Sequence, residues 1–234
     1  MELDRQIVDK LSAVSTATIT TVLLKKGLRN VWLRGARPLA PGQPRVIGRA
    51  FTLRFIPARE DLATPESWSS PRSTRAAIEA MPEGCIAVVD ARGVTHAGIF
   101  GDILCGRMRK RGVGALVTDG VVRDIDGVLK SGLAVWCQGA SAPPSVAGLF
   151  FVGWEEPIGC GGVAVMPGDL VVADGDGAVV IPWHLVDEVA RLGPEQERLE
   201  SWIMTEIEKG VALPGLYPPN EQTKARYEAS LRNR

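Results

Sequence analysis

The chain has 234 residues, of which 45% are hydrophobic and 23% are charged, and this composition excludes a largely disordered or fibrous protein. Its 27 basic and 27 acidic residues cancel, so the basic excess that is typical of nucleic-acid-binding proteins is missing. The sequence contains neither an apolar run of roughly 18–20 residues, the length of a membrane span, nor an apolar signal-peptide core near Met1. We therefore expect a soluble cytoplasmic protein that binds neither nucleic acid nor a membrane.

The first third of the chain is predicted to contain one long helix, one strand and one short helix. Apolar residues at three- and four-residue spacing predict a helix over residues 4–26, and Gly27 suits its end. A strand is predicted at Val46–Ile56 and a short helix over residues 73–81. The polar, proline-bounded stretch 57–71 between them is predicted to be a surface excursion, and loops of this length are often functional.

Strands and short helices alternate in the middle of the chain. Compact apolar runs at residues 85–90, 114–118 and 133–137 are typical of buried parallel strands. Helical patterns over residues 102–111 and 121–130 separate them. This alternation predicts an α/β fold built from βαβ units.

The last third is predicted to contain three strands, a helix and a tail. Residues 162–166, 170–173 and 178–181 are predicted strands, and the Asp-Gly-Asp-Gly turn between the last two indicates a hairpin. An amphipathic helix follows over residues 184–209, and the Gly193-Pro194 pair is a candidate break within it. We treat residues 1–234 as one domain, and we expect the polar tail 211–234 to pack on a neighbouring subunit.

Two short stretches carry the side chains with the clearest chemical potential. Gly101-Asp102-Ile103-Leu104 opens the predicted helix 102–111, while Arg123 and Asp124 follow the predicted strand 114–118. Ligands of open α/β folds bind at the carboxyl ends of parallel strands. We therefore expect Asp102 and Asp124 to face one cavity.

These residue types suit a small carboxylate bound to a metal ion. Free backbone N–H groups at the start of a helix hold anions, and the guanidinium of Arg123 can grip a carboxylate with two hydrogen bonds. Asp124 and Asp102 offer oxygen ligands for Mg²⁺, which takes only one or two carboxylates and keeps several waters. The predicted ligand is a small carboxylate, such as a 2-oxo acid, that chelates a divalent metal.

Simpler interpretations of the same residues stay open. The Arg123–Asp124 pair also fits a surface ion pair, and Asp102 also fits an ordinary helix cap. A hairpin turn accounts for Asp174 and Asp176 better than a calcium site does. The basic residues of helix 102–111 also fit a solvated helix face, and both histidines fit structural roles. The four cysteines form no CxxC pair, so they fit buried free thiols in a reducing compartment.

Several of these motifs resemble the RraA-like family, which includes 4-hydroxy-4-methyl-2-oxoglutarate aldolases. The resemblance is carried by Gly-Asp-Ile-Leu at 101–104 together with Val-Thr-Asp-Gly-Val-Val-Arg-Asp at 117–124. A second match joins Cys-Gly-Gly at 160–162 to Met-Pro-Gly-Asp-Leu-Val-Val-Ala-Asp-Gly-Asp-Gly at 166–177, and a weaker one lies at residues 14–19. The resemblance extends over about residues 4–210.

The resemblance implies a swivelling β/β/α fold of the phosphohistidine-domain type, with helices at both ends. It also implies a homotrimer or homohexamer whose active sites lie between subunits. In the aldolases of this family, the residue matching Asp124 binds Mg²⁺ or Mn²⁺, and the residue matching Arg123 holds the pyruvate moiety. The residue matching Asp102 acts through water on the metal.

Further substrate contacts are implied at the helix start and at the subunit boundary. The positions that match Gly101, Ile103 and Leu104 bind the substrate through the backbone, with N–H groups directed at its carboxylate. A glutamate from the C-terminal helix of a neighbour completes the site. Glu197 is the candidate for that glutamate, with Glu195 and Glu200 as alternatives.

The chain also departs from the family pattern. An acidic residue commonly follows the Arg-Asp pair at a three-residue step, but here Asp126 comes one residue early and Gly127 occupies that position. The excursion 57–71 and the tail indicate a longer subgroup. Both can reshape the pocket for the non-pyruvate half of the substrate, so a sugar-derived 2-oxo acid is as good a candidate as the 4-methyl dicarboxylate.

Together these features predict a divalent-metal-dependent, class II-type aldolase. It would cleave a 4-hydroxy-2-oxo acid to pyruvate and an aldehyde or second 2-oxo acid, and would decarboxylate oxaloacetate as a side reaction. The alternative is a non-catalytic regulator of a ribonuclease that acts by protein–protein contact, because the family also includes such regulators.

Overall fold

The computed structural model describes residues 3–232 as a mixed α/β fold with a nearly closed, barrel-like sheet. The strands within these residues are β1 (Arg37–Pro38), β2 (Val46–Pro57), β3 (Ile86–Asp90), β4 (Ala115–Thr118), β5 (Ala134–Cys137), β6 (Leu149–Trp154), β7 (Leu170–Asp174) and β8 (Gly177–Ile181). The α-helices are α1 (Arg5–Ser12), α2 (Thr16–Lys25), α3 (Thr74–Ala80), α4 (Asp102–Lys110), α5 (Ile125–Lys130), α6 (Val186–Glu208) and α7 (Glu221–Arg232).

The strand order is β1-β5-β4-β3-β2-β7-β8, and β6 also pairs with β2. Strands β2, β3, β4 and β5 are parallel neighbours, whereas the remaining pairings are antiparallel. The α/β fold and the predicted βαβ units are therefore confirmed. Because the four parallel strands run in one direction, their carboxyl ends lie at a common edge of the sheet.

Two apolar clusters pack against opposite faces of the parallel strands. Alternate residues of a strand point to opposite faces, so Ala87 and Val89 join residues of α3, α4 and α5, such as Ile78 and Met108. Ile86 and Val88 instead join residues of β7 and β8. Burial on both faces explains why β3 and β4 are continuous apolar runs without polar alternation.

The β7–β8 hairpin is confirmed, and its acidic turn has a structural role. Asp174 accepts hydrogen bonds from the N–H and the hydroxyl of Thr16 (2.9 and 2.7 Å), from Arg45 (3.2 Å) and from the N–H of Asp176 (3.0 Å). The carboxylate thus fixes the start of α2 to the hairpin. These contacts support the hairpin-turn interpretation of both aspartates.

The prediction of one continuous helix over residues 4–26 is wrong. The structure has two helices there, α1 and α2, whose axes are bent by 105°. The side chain of Ser15 accepts the N–H of Thr18 at 3.0 Å and caps α2, which therefore starts in a new direction. Among residues 3–232, no single helix is long and apolar enough to cross a membrane. Helices α1 and α2 reach that length and composition only as this bent pair.

Three other element predictions need correction. Residues 162–166 are not a strand, since Gly161 and Gly162 have φ values of +56° and +75° and form a 3₁₀ turn. Helix α5 begins at Ile125 rather than at residue 121, because Asp124 before it has φ +53°. Helix α6 is continuous across the Gly193-Pro194 pair for 23 residues.

The tail contains α7, which packs on α6 of the same chain. The rings of Trp202 and Tyr227 lie 5.5 Å apart, and Arg226 pairs with the buried Glu206 while stacking on Trp202. Packing of the tail on a neighbouring subunit stays a prediction. All four cysteines are free and buried, as expected.

Candidate active site

Two loops at the carboxyl edge of the sheet bring the predicted site residues together. Gly98 forms a bridge with Val121, and the Ile99 N–H donates to the Val121 carbonyl at 2.9 Å. The Arg123 N–H donates to the Phe100 carbonyl at 2.9 Å. The loop that leads into α4 therefore lies directly beside the loop that carries Arg123 and Asp124.

Asp124 lies against the start of α4. Its Oδ2 accepts the Nε–H of Arg123 at 3.0 Å, and both side chains are partly exposed. A Cβ atom added to Gly101 would lie 2.6 Å from the same Oδ2. A larger residue at position 101 would therefore have to displace the Asp124 carboxylate from this position.

Asp102 lies over the first turn of α5, the helix that Asp124 precedes. A Cβ atom added to Gly127 would lie 2.5 Å from the Cβ of Asp102 and 2.8 Å from its Oδ2. Asp102 thus occupies the space of any side chain at position 127, which gives a physical reason for glycine where an acidic residue was expected. The two aspartates thus lie at the junction of α4 and α5. Asp124 lines the cavity at this junction but Asp102 does not, so the expectation that both face one cavity stays a prediction.

The prediction of free N–H groups at the start of α4 needs correction at one position. The Ile103 N–H donates to Oδ1 of Asp102 at 2.7 Å, so it is not free to bind an anion. The Leu104 N–H belongs to the same first turn, whose N–H groups have no acceptor within a helix. Leu104 thus keeps the predicted position for an anion contact.

A cavity of about 570 Å³ opens beside these residues. It is lined by residues 123–127 and 140–142, and we call it the primary cavity. Ile125, which lines the cavity, is 38% exposed. Two apolar side chains of the adjoining helices are also exposed, Ile103 of α4 (81%) and Leu129 of α5 (45%).

Glu197 lies on α6 and is engaged within its own chain. Its Oε1 accepts the Ser15 N–H at 2.7 Å. Burial raises the pKa of the Glu197 carboxyl, but hydrogen bonds from Ser15 and Thr18 outweigh this effect and hold the pKa below its ordinary value. Of the two alternatives, Glu200 accepts a hydrogen bond from Gln196 at 2.7 Å and Glu195 is exposed. A role for any of the three in a neighbour's site stays a prediction.

The contact of Glu197 with α2 predicts a pH-dependent stability. A carboxyl with a lowered pKa stabilises the fold above its unfolded value, near 4.5, and this contribution is lost as the pH falls through the folded pKa. We expect Glu197→Gln to lower the free energy of unfolding by at most about 1 kcal/mol at pH 7, allowing for solvent screening, and by less near pH 4. Urea unfolding at both pH values measures this, with Glu195→Gln as the control. An equal effect of Glu197→Gln at both values would contradict the assignment.

Asp119 supports the loops that carry the candidate site, a role that the sequence analysis does not predict. It is 5% exposed and accepts three backbone N–H groups, from Ala91 (2.8 Å), Gly93 (3.1 Å) and Gly161 (3.0 Å). Burial raises the pKa of its carboxyl, against the opposing effect of these donors. Asp119 joins the loop before α4 to its own loop and to the 160–162 turn. The sequence places Asp119 directly after a predicted buried strand, but it does not predict which N–H groups donate hydrogen bonds to the carboxylate.

The carboxylates present fit a hard divalent cation. No cluster of three or more His, Cys, Asp or Glu side chains that could hold a metal lies within residues 3–232. Mg²⁺ does not need one, since it takes one or two carboxylates and otherwise water. Asp124 offers a half-exposed carboxylate, and Asp102 adds a second acidic group at the same helix junction. These residue types fit Mg²⁺ or Mn²⁺.

A comparison with known families places the chain. The profile of the family described as RraA-like, Aldolase/RraA, matches residues 7–180. The chain belongs to the RraA-like family. Among solved structures, this RraA-like protein is similar to Streptomyces coelicolor RraAS2, which is described as an unusual member of the RNase ES inhibitor RraA protein family. The identity is 35%, the TM-score is 0.77, and the match covers 86% of this chain and 97% of the other.

Other relatives extend the comparison. An uncharacterised Pseudomonas syringae protein of known structure is 26% identical, with a TM-score of 0.77 and coverage of 93% and 99%. A Halalkalibacterium halodurans protein, provisionally named a 4-hydroxy-4-methyl-2-oxoglutarate aldolase, is 38% identical over 109 residues, or 46% of this chain. Legionella pneumophila DlpA is 26% identical over 207 residues, or 88% of this chain. The matches span 50% and 32% of these two curated relatives.

Proposed function

We propose that this RraA-like protein is a divalent-metal-dependent carbon–carbon lyase that cleaves a 4-hydroxy-2-oxo acid and releases pyruvate. The observation that carries the proposal is the convergence of Asp102, Arg123 and Asp124 at the α4–α5 junction. Asp124 would hold Mg²⁺ or Mn²⁺, with Asp102 beside it. When bound, the ion supplies Lewis-acid polarisation of the 2-oxo group.

The remaining chemistry is assigned to side chains of the chain. Arg123 binds the substrate carboxylate and offsets the negative charge that develops on the pyruvate half as the C3–C4 bond breaks. The bonding electrons stay with C3, and the 4-hydroxyl proton passes through water to the Asp102 carboxylate while C4 becomes a carbonyl carbon. A proton returned to C3 completes pyruvate. Oxaloacetate loses CO₂ from the same position, which makes decarboxylation the expected side reaction.

We further propose a homo-oligomer, a trimer or hexamer, with the site at the boundary between subunits. The exposed apolar side chains of Ile125, which lines the primary cavity, and of Ile103 and Leu129 on α4 and α5 support this arrangement. A neighbouring chain would cover them and narrow the cavity. Glu197 of that neighbour is the proposed additional acidic group.

Regulation of a ribonuclease by protein contact is the second candidate. The similarity to Streptomyces coelicolor RraAS2 over most of both chains favours it. A regulator of this kind does not need the acidic and basic groups at the α4–α5 junction. Their presence here supports the lyase more strongly.

A pyruvate-release assay tests the proposal. The purified protein is incubated with oxaloacetate and a series of 4-hydroxy-2-oxo acids, and pyruvate is measured with lactate dehydrogenase. We expect release that EDTA abolishes and that excess Mg²⁺ or Mn²⁺ restores. Release no faster than the protein-free blank with every substrate would refute the lyase, and inhibition of a ribonuclease by the same preparation would then support the regulator.

A further inference from the structure

One segment of the chain lines two cavities. Residues 140–142 line the primary cavity beside Arg123 and Asp124. Ser145, Val146 and Leu149 line a second cavity of about 260 Å³. Three residues of extended chain span at most about 11 Å, so the lining of the second cavity begins within that distance of Ala142.

Hydrogen bonds to both loops hold this segment in place. The Ser141 N–H donates to the Val122 carbonyl at 2.9 Å, and the Gly98 N–H donates to the Pro143 carbonyl at 2.9 Å. A Cβ atom added to Gly98 would in turn lie 2.8 Å from the Cβ of Arg123. The second cavity is thus fixed relative to the guanidinium proposed to hold the substrate carboxylate.

The excursion after β2 forms the other wall of this second cavity. Strand β2 ends at the same sheet edge as the site, and the Ala58 N–H donates to the Gly148 carbonyl at 3.0 Å. The excursion brings the half-buried Trp68 over the cavity, where Arg75 stacks on its ring at 4.9 Å. We call this space the distal cavity; its apolar lining is Phe55, Leu62, Trp68, Val146, Leu149, Phe150 and Phe151.

The lining determines which chemical group fits. Besides the apolar residues it contains serine and threonine hydroxyls, and its one charged residue, Arg72, is paired with Glu156 at 2.9 Å. A carboxylate would lose its hydration there, because the only cation in the lining is already paired and Arg75, which stacks on Trp68, does not line the cavity. An apolar cavity of about 150 Å³ accommodates a benzene ring, so about 260 Å³ holds a phenyl group with room to spare.

We propose that the distal cavity binds the substituent on C4 of the substrate and selects an aromatic or bulky apolar group. The assignment rests on the proposed lyase activity and specifies its substrate class. The products would be pyruvate and an aromatic or branched aldehyde. A second carboxylate at C4, as in a dicarboxylic substrate, would be disfavoured.

Competing substrates test the assignment in the full-length protein. We compare kcat/KM for 4-hydroxy-2-oxo acids that carry phenyl, methyl or carboxylate at C4, and we include oxaloacetate, whose leaving CO₂ does not reach the distal cavity. We expect the phenyl substrate to exceed the carboxylate substrate by about tenfold or more, as one well-filled apolar pocket provides. A carboxylate substrate that is equal or better would overturn the assignment.

Two variants locate the effect in the distal cavity. Trp68→Ala should lower kcat/KM for the phenyl substrate by about tenfold, while oxaloacetate decarboxylation stays within about twofold of wild type. Ser145→Phe, which fills the cavity instead of opening it, should exclude the phenyl substrate and spare the methyl one. Trp183→Ala, at a 40% exposed tryptophan that stacks with Arg49, is the matched control and should leave the substrate ratio unchanged.

The outcomes separate the two proposals. Absence of turnover with every substrate, oxaloacetate included, overturns the lyase and this assignment with it. Turnover without a phenyl preference, or a phenyl preference unchanged in both cavity variants, overturns this assignment alone.

Discussion

Asp124→Ala is expected to reduce EDTA-sensitive pyruvate release by about a thousandfold or more, which corresponds to about 4 kcal/mol of transition-state stabilisation. Asp124 is the proposed direct ligand, and its Oδ2 also holds the Nε–H of Arg123 at 3.0 Å. The substitution therefore removes the metal ligand and frees the guanidinium at once. The side chain is 47% exposed, so its loss should leave the fold intact.

The measurement is kcat/KM for oxaloacetate and one 4-hydroxy-2-oxo acid at saturating Mg²⁺. Circular dichroism and the oligomeric mass confirm that the variant is folded and assembled. Asp176→Ala, in the exposed β7–β8 turn, controls for the loss of an aspartate elsewhere. Metal-dependent release near the wild-type rate in Asp124→Ala would show that another group holds the ion.

Asp119→Ala is expected to lower the free energy of unfolding by about 3–5 kcal/mol and to abolish measurable turnover. The substitution leaves three N–H groups without their acceptor, and each unsatisfied buried donor costs about 1–3 kcal/mol before water enters. The costs of the three unsatisfied N–H groups are not additive. Removal of the buried, poorly solvated carboxylate also recovers part of the lost free energy of unfolding. Turnover should be lost because Asp119 no longer joins the loop before Asp102 to the loop that carries Arg123.

Urea unfolding at pH 7 measures the stability change. Asp90→Asn is the matched control. The half-buried Asp90 accepts the Arg92 N–H at 3.0 Å and the Gly159 N–H at 3.4 Å, and the amide oxygen of asparagine preserves the shorter bond. We expect this control within about 1 kcal/mol of wild type. A similarly small effect of Asp119→Ala would mean that the loops are held together by their backbone pairing instead.

The parallel core was predictable because its signal is local. A run of buried apolar residues bounded by glycine and acidic residues specifies a strand without knowledge of its partners. The strands predicted at 85–90 and 114–118 are therefore present, and each begins one residue later in the structure. The start of α4 at Asp102 was predictable from an equally local signal in the sequence. The closeness of the two loops that carry the candidate residues follows from this topology, because parallel strands place their following loops at one edge of the sheet.

The errors arose where distant residues decide the local conformation. Residues 4–26 have one helical period, but Glu197 and Asp174 bind the N–H groups of Ser15 and Thr16 and fix the start of a second helix there. The seating of Asp102 over Gly127 likewise depends on how α4 packs against α5. The excursion after β2 was recognised as unusual, but its cavity exists only because β6 and residues 145–149 face it.

The bonds from Ser15 to Glu197 and from Thr16 to Asp174 join residues 182 and 158 positions apart in the chain. During synthesis the first two helices emerge long before the acceptors that fix their geometry. Contacts of such long range form late and slow folding. Helices α1 and α2 therefore cannot complete these contacts before residues 174–197 have been synthesised, and until then their apolar faces lack their final partners.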